Sequence, residues 1–203
     1  MRLATISGTA SEVGKTTLLC ELLRRLPGWA AIKVTRGHYR SCGRDPDTCC
    51  VSHLLGPEPR VFADRATTDA PGKDTGRYWA AGAADVRWVV GAHGQEVEGL
   101  KRALTDLTGF PGVLVEGNRI LLGVRPDLAI LVVPSAPGEV KPTARRILDR
   151  IDALYVPDPE TSRLDPAVLL GAPAGSRTWP VWGPADLDRV AARLNGSGAS
   201  VRS

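Results

Sequence analysis

Apolar positions along the chain fall into two alternating rhythms. Residues 2–7 are a short apolar stretch that stops at Gly8 and reads as a buried strand. Leu18, Leu19, Leu22, Leu23 and Leu26 then recur at three-to-four spacing. That spacing predicts a helix over 15–26, stopped by Pro27-Gly28. A second strand is predicted over 30–35. Residues 36–60 keep no period and are rich in Cys, Arg, Asp, Pro and Gly, which marks a long loop or small subregion of the kind that usually carries function. Beyond it the rhythm resumes. A short strand is expected at 60–63, a helix over 73–83 after Pro71-Gly72, a strand over 85–90 and a helix over 94–108 with Val97, Leu100, Leu104 and Leu107 aligned. Pro111-Gly112 leads into a buried strand at 113–115 that ends at Glu116-Gly117. Residues 128–133 are a continuous apolar run and read as a central strand. A helix is predicted over 140–151 with Pro142 in its first turn, a strand over 153–156 and a last helix over 184–194. Strands alternating with helices imply a mostly parallel sheet covered on both faces, in one domain over 1–195 with a frayed Gly/Ser-rich tail at 196–203.

Composition narrows the function classes. Apolar residues make up 43% and charged residues 24%, ordinary values that exclude global disorder. No apolar run reaches the roughly 18 residues of a membrane span, and the first residues enter a strand directly instead of a targeting segment. The expectation is a soluble cytoplasmic protein with no membrane partner. The net charge of +4 rests on 21 Arg and 5 Lys. Arg24-Arg25 and Arg145-Arg146 are basic pairs on predicted helix faces, and no aromatic residues interleave them. They read as solvated helix faces, and no nucleic-acid partner is expected.

The chemistry starts where the first strand ends. Gly8-Thr9-Ala10-Ser11-Glu12-Val13-Gly14-Lys15-Thr16-Thr17 nearly fits the phosphate-loop pattern G-x-x-x-x-G-K-[ST], with its first glycine one residue early. A strand precedes it and a helix follows, which is the setting such a loop requires. Backbone N–H groups of the loop and the helix N-terminus hold phosphate oxygens. Lys15 would reach the outer phosphates, and the Thr16 hydroxyl would bind Mg²⁺. Gly8, Glu12, Val13, Gly14 and Thr17 complete the nucleotide-contacting set. Glu116, at the carboxyl end of an apolar strand, is the candidate acidic partner for Mg²⁺. The fold expected is therefore a P-loop NTPase three-layer α/β/α sandwich.

The loop resembles that of dethiobiotin synthetase, and two further features are similar to that family: Lys33 at the end of the second strand and Val115-Glu116-Gly117. The middle of the chain resembles a different family. Asp69-Ala70-Pro71-Gly72-Lys73-Asp74-Thr75-Gly76-Arg77, followed by Ala81-Gly82-Ala83, is similar to the D-x-P-G-K-D-[ST]-x-R and A-G-A segments of the molybdopterin-guanine dinucleotide biosynthesis protein B family (MobB). Together with the GKTT loop, Lys33 and the Val-Glu-Gly strand end, the matched segments cover about residues 3–120. The resemblance implies a GTP-binding protein with weak hydrolysis. It would be a homodimer and support attachment of a guanine nucleotide to molybdopterin beside a nucleotidyltransferase or another molybdoenzyme-maturation partner. Lys73 and Asp74 then fit a loop that closes on the outer phosphate or on a second ligand. Lys15, Asp74 and Glu116 would be catalytic, with Lys33 and Lys73 facing the nucleotide or that ligand. Asn118-Arg119 stands where the family more often has Phe-Lys, and no Asn-Lys-x-Asp base-reading motif is present, so GTP and ATP both stay open.

Two rival readings remain. One is an ATP-dependent ligase of the dethiobiotin synthetase type, with its carboxyl or carbamate substrate beside Lys33. The other is a nucleotide-gated metal-binding adaptor. Its basis is His38, Cys42, Cys49, Cys50 and His53, clustered within sixteen residues. Thiolates and imidazoles suit Zn²⁺ or an iron–sulfur cluster, although the spacing H-x₃-C-x₆-C-C-x₂-H fits no standard finger. Small buried hydrophobes or free thiols are the plainer reading. Cys20 is expected in the core of the first helix, and the five tryptophans in packing, with Trp179 to Trp182 placed to approach a base.

Overall fold

The computed structural model describes residues 1–37, 51–134, 139–158, 170 and 178–196. Among these residues its centre is an eight-stranded sheet. In chain order the strands are β1 (Arg2–Gly8), β2 (Ala30–Arg36), β3 (Arg60–Phe62), β4 (Val86–Gly91), β5 (Gly112–Glu116), β6 (Leu128–Val132), β7 (Ala153–Tyr155) and β8 (Val181–Trp182). They lie side by side as β3-β4-β2-β5-β1-β6-β7-β8. All neighbours are parallel except β3, which runs antiparallel to β4 through Arg60–Val90, Val61–Val89 and Phe62–Trp88. The helices are α1 (Lys15–Arg25), α2 (Arg65–Thr68), α3 (Asp74–Ala80), α4 (Glu96–Thr105), α5 (Pro142–Arg145) and α6 (Leu187–Leu194). No helix among the described residues is long and apolar enough to cross a membrane.

The strands are apolar on both sides because each face is covered. Ala4, Ile6, Ala31, Leu114 and Ile130 point to one face and pack with Leu18, Leu19 and Leu22 of α1, Tyr78 of α3 and Val190 of α6. Their alternate neighbours turn the other way. Ile32, Val113 and Val115 pack under Leu100 and Ala103 of α4, while Ala129 and Leu131 pack with Ala144 of α5. This gives the expected three layers. Each leucine of α1 that disappears from water contributes about 1.5–3 kcal/mol. Cys20 is buried among them, as its place in the apolar stripe requires.

Some elements differ from the sequence expectation. The helix over 140–151 divides into α5 and a separate 3₁₀ turn at Leu148–Arg150. Val140, Ala144, Ile147 and Ile151 are all buried, so the apolar spacing marks the burial correctly. The backbone, however, closes three-residue turns there, with Ile147 N–H donating to Ala144 O and Arg150 N–H to Ile147 O. The helix over 94–108 contracts to Glu96–Thr105, because Gly94 takes a left-handed φ of 91°. The last helix opens as a 3₁₀ turn at Pro184–Asp186 before α6. The two-residue β8 gives too short an apolar pattern to be read.

Trp29, Trp179 and Trp182 are buried, with Trp179 Nε1 donating to Ile151 O and Trp29 Nε1 to Asn195 Oδ1. Trp88 stacks on Phe62 with ring centres 5.1 Å apart. Trp179 and Trp182 are therefore packing residues, not groups poised over an open site. Arg25 is not simply a solvated face residue either: its guanidinium ties α1 to α6 through Asp188 at 2.8 Å.

Candidate phosphate-binding site

The site lies at the carboxyl edge of the sheet, where β5 stops while its neighbours β1 and β2 run on to Gly8 and Arg36. Register places Ile6 beside Glu116, and Glu116 beside Lys33. Glu116 has the same strand parity as Leu114, and Lys33 the same as Ala31. Both side chains therefore leave the sheet on the face covered by α1 and α3.

Two helices meet them there. Gly14 has φ 99°, a left-handed conformation that only glycine adopts freely, and it turns the chain into α1. The first turn of α1 has no side-chain cap and no acidic residue of its own, so no carboxylate of the helix itself competes for its N–H groups. Thr16 lies in that turn. From α3, Asp74 and Tyr78 are four residues apart and share one face.

These groups form one connected network around Glu116, which is 2% exposed. Lys33 Nζ donates to Glu116 Oε1 at 2.6 Å and to Asp74 Oδ2 at 2.5 Å. The Thr16 hydroxyl lies 2.8 Å from Glu116 Oε2 and 3.0 Å from Asp74 Oδ1. The Tyr78 hydroxyl donates to Glu116 Oε2 at 2.5 Å. A buried carboxylate without such partners would be strongly unfavourable, so three donors on one glutamate account for its burial.

The electrostatics follow from this packing. Burial alone would lower the Lys33 ammonium, but Glu116 and Asp74 outweigh it and hold its pKa above the ordinary lysine value. Burial alone would raise the Asp74 carboxyl, but Lys33, aided by Thr16 and Arg77, holds it below the ordinary aspartate value. Burial first, then Glu116, pushes the Tyr78 phenol well up. Lys15 differs: burial lowers its ammonium pKa, and Glu116 only partly offsets this. Among the described residues its Nζ has a single neutral partner, Ala10 O at 2.9 Å.

A pH prediction follows from Asp74. Its depressed pKa contributes stability that is complete above the unfolded value of about 4 and is lost as pH falls through the folded value. Urea denaturation of wild type and Asp74→Asn should show a constant difference near neutrality that shrinks below about pH 4. A difference that grows toward acid would contradict the ion pair. Lys33, with its raised pKa, stabilises below its unfolded value of about 10.4 and loses that contribution only as pH rises through the folded one.

The loop itself is held from outside. Gly8, the last residue of β1, is clamped by Asn118, whose Oδ1 accepts from Gly8 N–H at 2.9 Å while its Nδ2 donates to Gly8 O at 2.8 Å. Thr9 N–H donates to Val132 O, and Lys141 N–H to Thr9 O. Lys141 Nζ donates to Ser11 Oγ at 2.6 Å. Between this clamp and Gly14, Glu12 adopts a left-handed φ of 57°.

A comparison with protein-family models finds no match, and a comparison with curated proteins finds none either.

Three cavities surround the loop. One, of about 630 Å³, is lined by Gly14, Lys15, Thr16, Thr17, Asp74 and Arg77 among others. A second, of about 540 Å³, lies past Glu12, Val13 and Gly14 against Pro134, Tyr155, Pro157 and Leu187. A third, of about 490 Å³, shares Lys15, Lys33 and Glu116 with the first but opens across the strand tips.

Most of the expected residues meet at these cavities: Gly8, Glu12, Val13, Gly14, Lys15, Thr16, Thr17, Lys33, Asp74 and Glu116. Lys73 does not join them. It is exposed at the N-cap position of α3 and contributes its backbone carbonyl to Arg77 N–H. His38, Cys42, Cys49 and Cys50 lie outside the described residues. His53 is exposed in a 3₁₀ turn at Ser52–Leu54. Among the described residues, no group of three or more His, Cys, Asp or Glu side chains is arranged to hold a metal.

Four residues of the site go beyond the sequence expectation. Tyr78 and Arg77 follow Asp74 at helical spacing, and that spacing is the available signal. Arg77 reaches Thr17 Oγ1 at 3.2 Å. Asn118 directly follows the Glu-Gly strand end. Lys141 carries no sequence signal, because its approach to the loop depends on how the chain returns after β6.

Proposed function

We propose that this chain binds a nucleoside triphosphate with Mg²⁺ at the loop over Gly8–Thr17 and hydrolyses it slowly. We further propose that it binds GTP as a homodimer and supports attachment of a guanine nucleotide to molybdopterin, beside a nucleotidyltransferase. The observation that carries the first part is the convergence of Lys15 and Thr16, at the start of α1, with Lys33 on β2, Glu116 at the end of β5 and Asp74 at the start of α3. The motif segments shared with the molybdenum-cofactor family support the second part.

The donor set fits Mg²⁺. The Thr16 hydroxyl lies 3.0 Å from an Asp74 oxygen and 2.8 Å from a Glu116 oxygen, and such hard oxygens are the ligands this ion takes. Thr16 would hold it directly, with Glu116 and Asp74 around it. Bound there, the ion neutralises charge on the outer phosphates. The chain's own groups do the rest. The N–H groups of Gly14, Lys15 and Thr16 bind the inner phosphate oxygens, and Lys15 leaves its weak carbonyl contact for the outer ones. Arg77 lines the same cavity and adds positive charge. The sugar and base continue past Gly14 into the space beside Tyr155 and Pro157. Both carboxylates are engaged by Lys33, Thr16 or Tyr78, so neither is a free base for activating water. Slow turnover follows from that.

A ligase reading has one observation in its favour: the third cavity beside Lys15 and Lys33 has room for an acceptor. Calorimetric titration of the protein with Mg-GTP and Mg-ATP separates the two. Tight GTP and weak ATP binding are expected. A preference for ATP would overturn the guanine assignment and favour the ligase.

A further inference from the structure

The third cavity is chemically distinct from the phosphate loop it adjoins. Arg36 ends β2, and its strand parity is that of Ile32 and Val34, opposite to Lys33. Lys33 therefore turns toward α1 and α3, while Arg36 turns toward the α4 face. The cavity opens over that second face, between Arg36, Arg119 and Lys141. A nucleotide running from the loop toward Tyr155 leads away from it.

Its charge is unbalanced. Glu96 is matched by Arg119 at 3.0 Å, and Glu116 by Lys33. Lys15, Arg36 and Lys141 line the same space and form no ion pair among the described residues. Arg36 Nε is shut off from solvent and has no hydrogen-bond partner among the described residues. That N–H is closed to a ligand, but other atoms of Arg36 line the cavity, and a guanidinium with no carboxylate partner among the described residues favours an anion there. Val34 and Ile120 give the same cavity an apolar wall. Its volume of about 490 Å³ lies in the range of small-molecule sites.

We propose that this cavity binds a phosphomonoester with a compact organic body, alongside the nucleotide. The proposal builds on the phosphate-loop reading, in which Lys15 serves the nucleotide. Arg36 and Lys141 then remain as two cations without a carboxylate partner among the described residues, which match the double charge of a phosphomonoester better than the single charge of a carboxylate.

Phenyl phosphate and benzoate are the probes. Each is titrated calorimetrically into protein saturated with the Mg complex of a non-hydrolysable GTP analogue. One phenyl phosphate per chain is expected, with benzoate at least tenfold weaker. Arg36→Gln should weaken phenyl phosphate at least tenfold without changing affinity for the GTP analogue, and Lys101→Gln, an exposed charge on α4, should change neither. If Arg36→Gln does not fold, Lys141→Gln on the same cavity should give the tenfold loss. Absence of binding to the loaded protein, equal affinity in Arg36→Gln, equal affinity for benzoate, or displacement of the analogue by phenyl phosphate would each overturn the proposal. If the chain binds no nucleotide, the phosphate-loop reading fails separately. The same titration on unliganded protein then decides this one, with the Arg36→Gln loss supporting it and an unchanged affinity overturning it.

Discussion

Lys15→Ala should reduce affinity for a Mg-nucleoside triphosphate by roughly 100-fold or more, about 3 kcal/mol, while leaving the fold almost as stable as before. The asymmetry follows from its surroundings. Lys15 has no carboxylate partner among the described residues, and its ammonium rests on one backbone carbonyl, Ala10 O. Little is lost on folding when that contact goes, about 1 kcal/mol. Much is lost on binding, because the outer phosphates would meet no ammonium in a half-buried cavity where charge counts for more than in water. Titration calorimetry reads the first effect and urea denaturation the second. If Lys15→Ala binds nucleotide like wild type, the loop over Gly8–Thr17 is not a phosphate site.

Glu116→Ala should behave in the opposite way, destabilising the fold by about 3 kcal/mol. The carboxylate is buried and accepts from Lys33, Thr16 and Tyr78. Removing it leaves the Tyr78 hydroxyl, fully buried, without its acceptor, and leaves Lys33 with Asp74 alone. Glu116→Gln should recover much of the stability, because an amide of the same shape can still accept from Tyr78 or Lys33. It should not recover the dependence of nucleotide affinity on Mg²⁺, since the negative charge is gone. Denaturation midpoints and titrations with and without Mg²⁺ measure both. A Glu116→Gln protein with an undiminished Mg²⁺ effect would remove Glu116 from the metal-binding role.

Much of this site is legible in the amino-acid sequence. The glycine-lysine-threonine run follows a strand and opens a helix, and α1 begins at Lys15 as that order requires. Glu116 is visible as an apolar run stopping at a charged residue, but Lys33 does not end its strand as expected: β2 runs on to Arg36, and Lys33 meets Glu116 from mid-strand. Asp74 is marked by its motif and lies where the motif suggests, against Thr16 and Lys33.

Other parts are not legible, for identifiable reasons. Tyr78 reads as an ordinary helical aromatic, because periodicity shows that a residue is buried but not which polar group its hydroxyl meets. Lys73 draws attention as the charged neighbour of Asp74, yet it stands before the helix with an extended backbone and an exposed side chain, while Asp74 meets Thr16 and Lys33. Arg36 and Lys141 reach one cavity from distant parts of the chain, a meeting set by strand order and not by any local pattern. The antiparallel direction of β3 is likewise invisible, since a three-residue strand carries no mark of its polarity.

The sheet's two rims bear on how copies of the chain can meet. Among the described residues it ends in a three-residue strand on one side and a two-residue strand on the other. Such stubs offer a neighbouring chain hardly any free main-chain N–H or C=O to extend the ladder. A pair of molecules would gain little by joining their sheets into one continuous surface. Its adhesion would have to come from side chains on the outer helices, and substitutions along either rim should leave self-association unchanged.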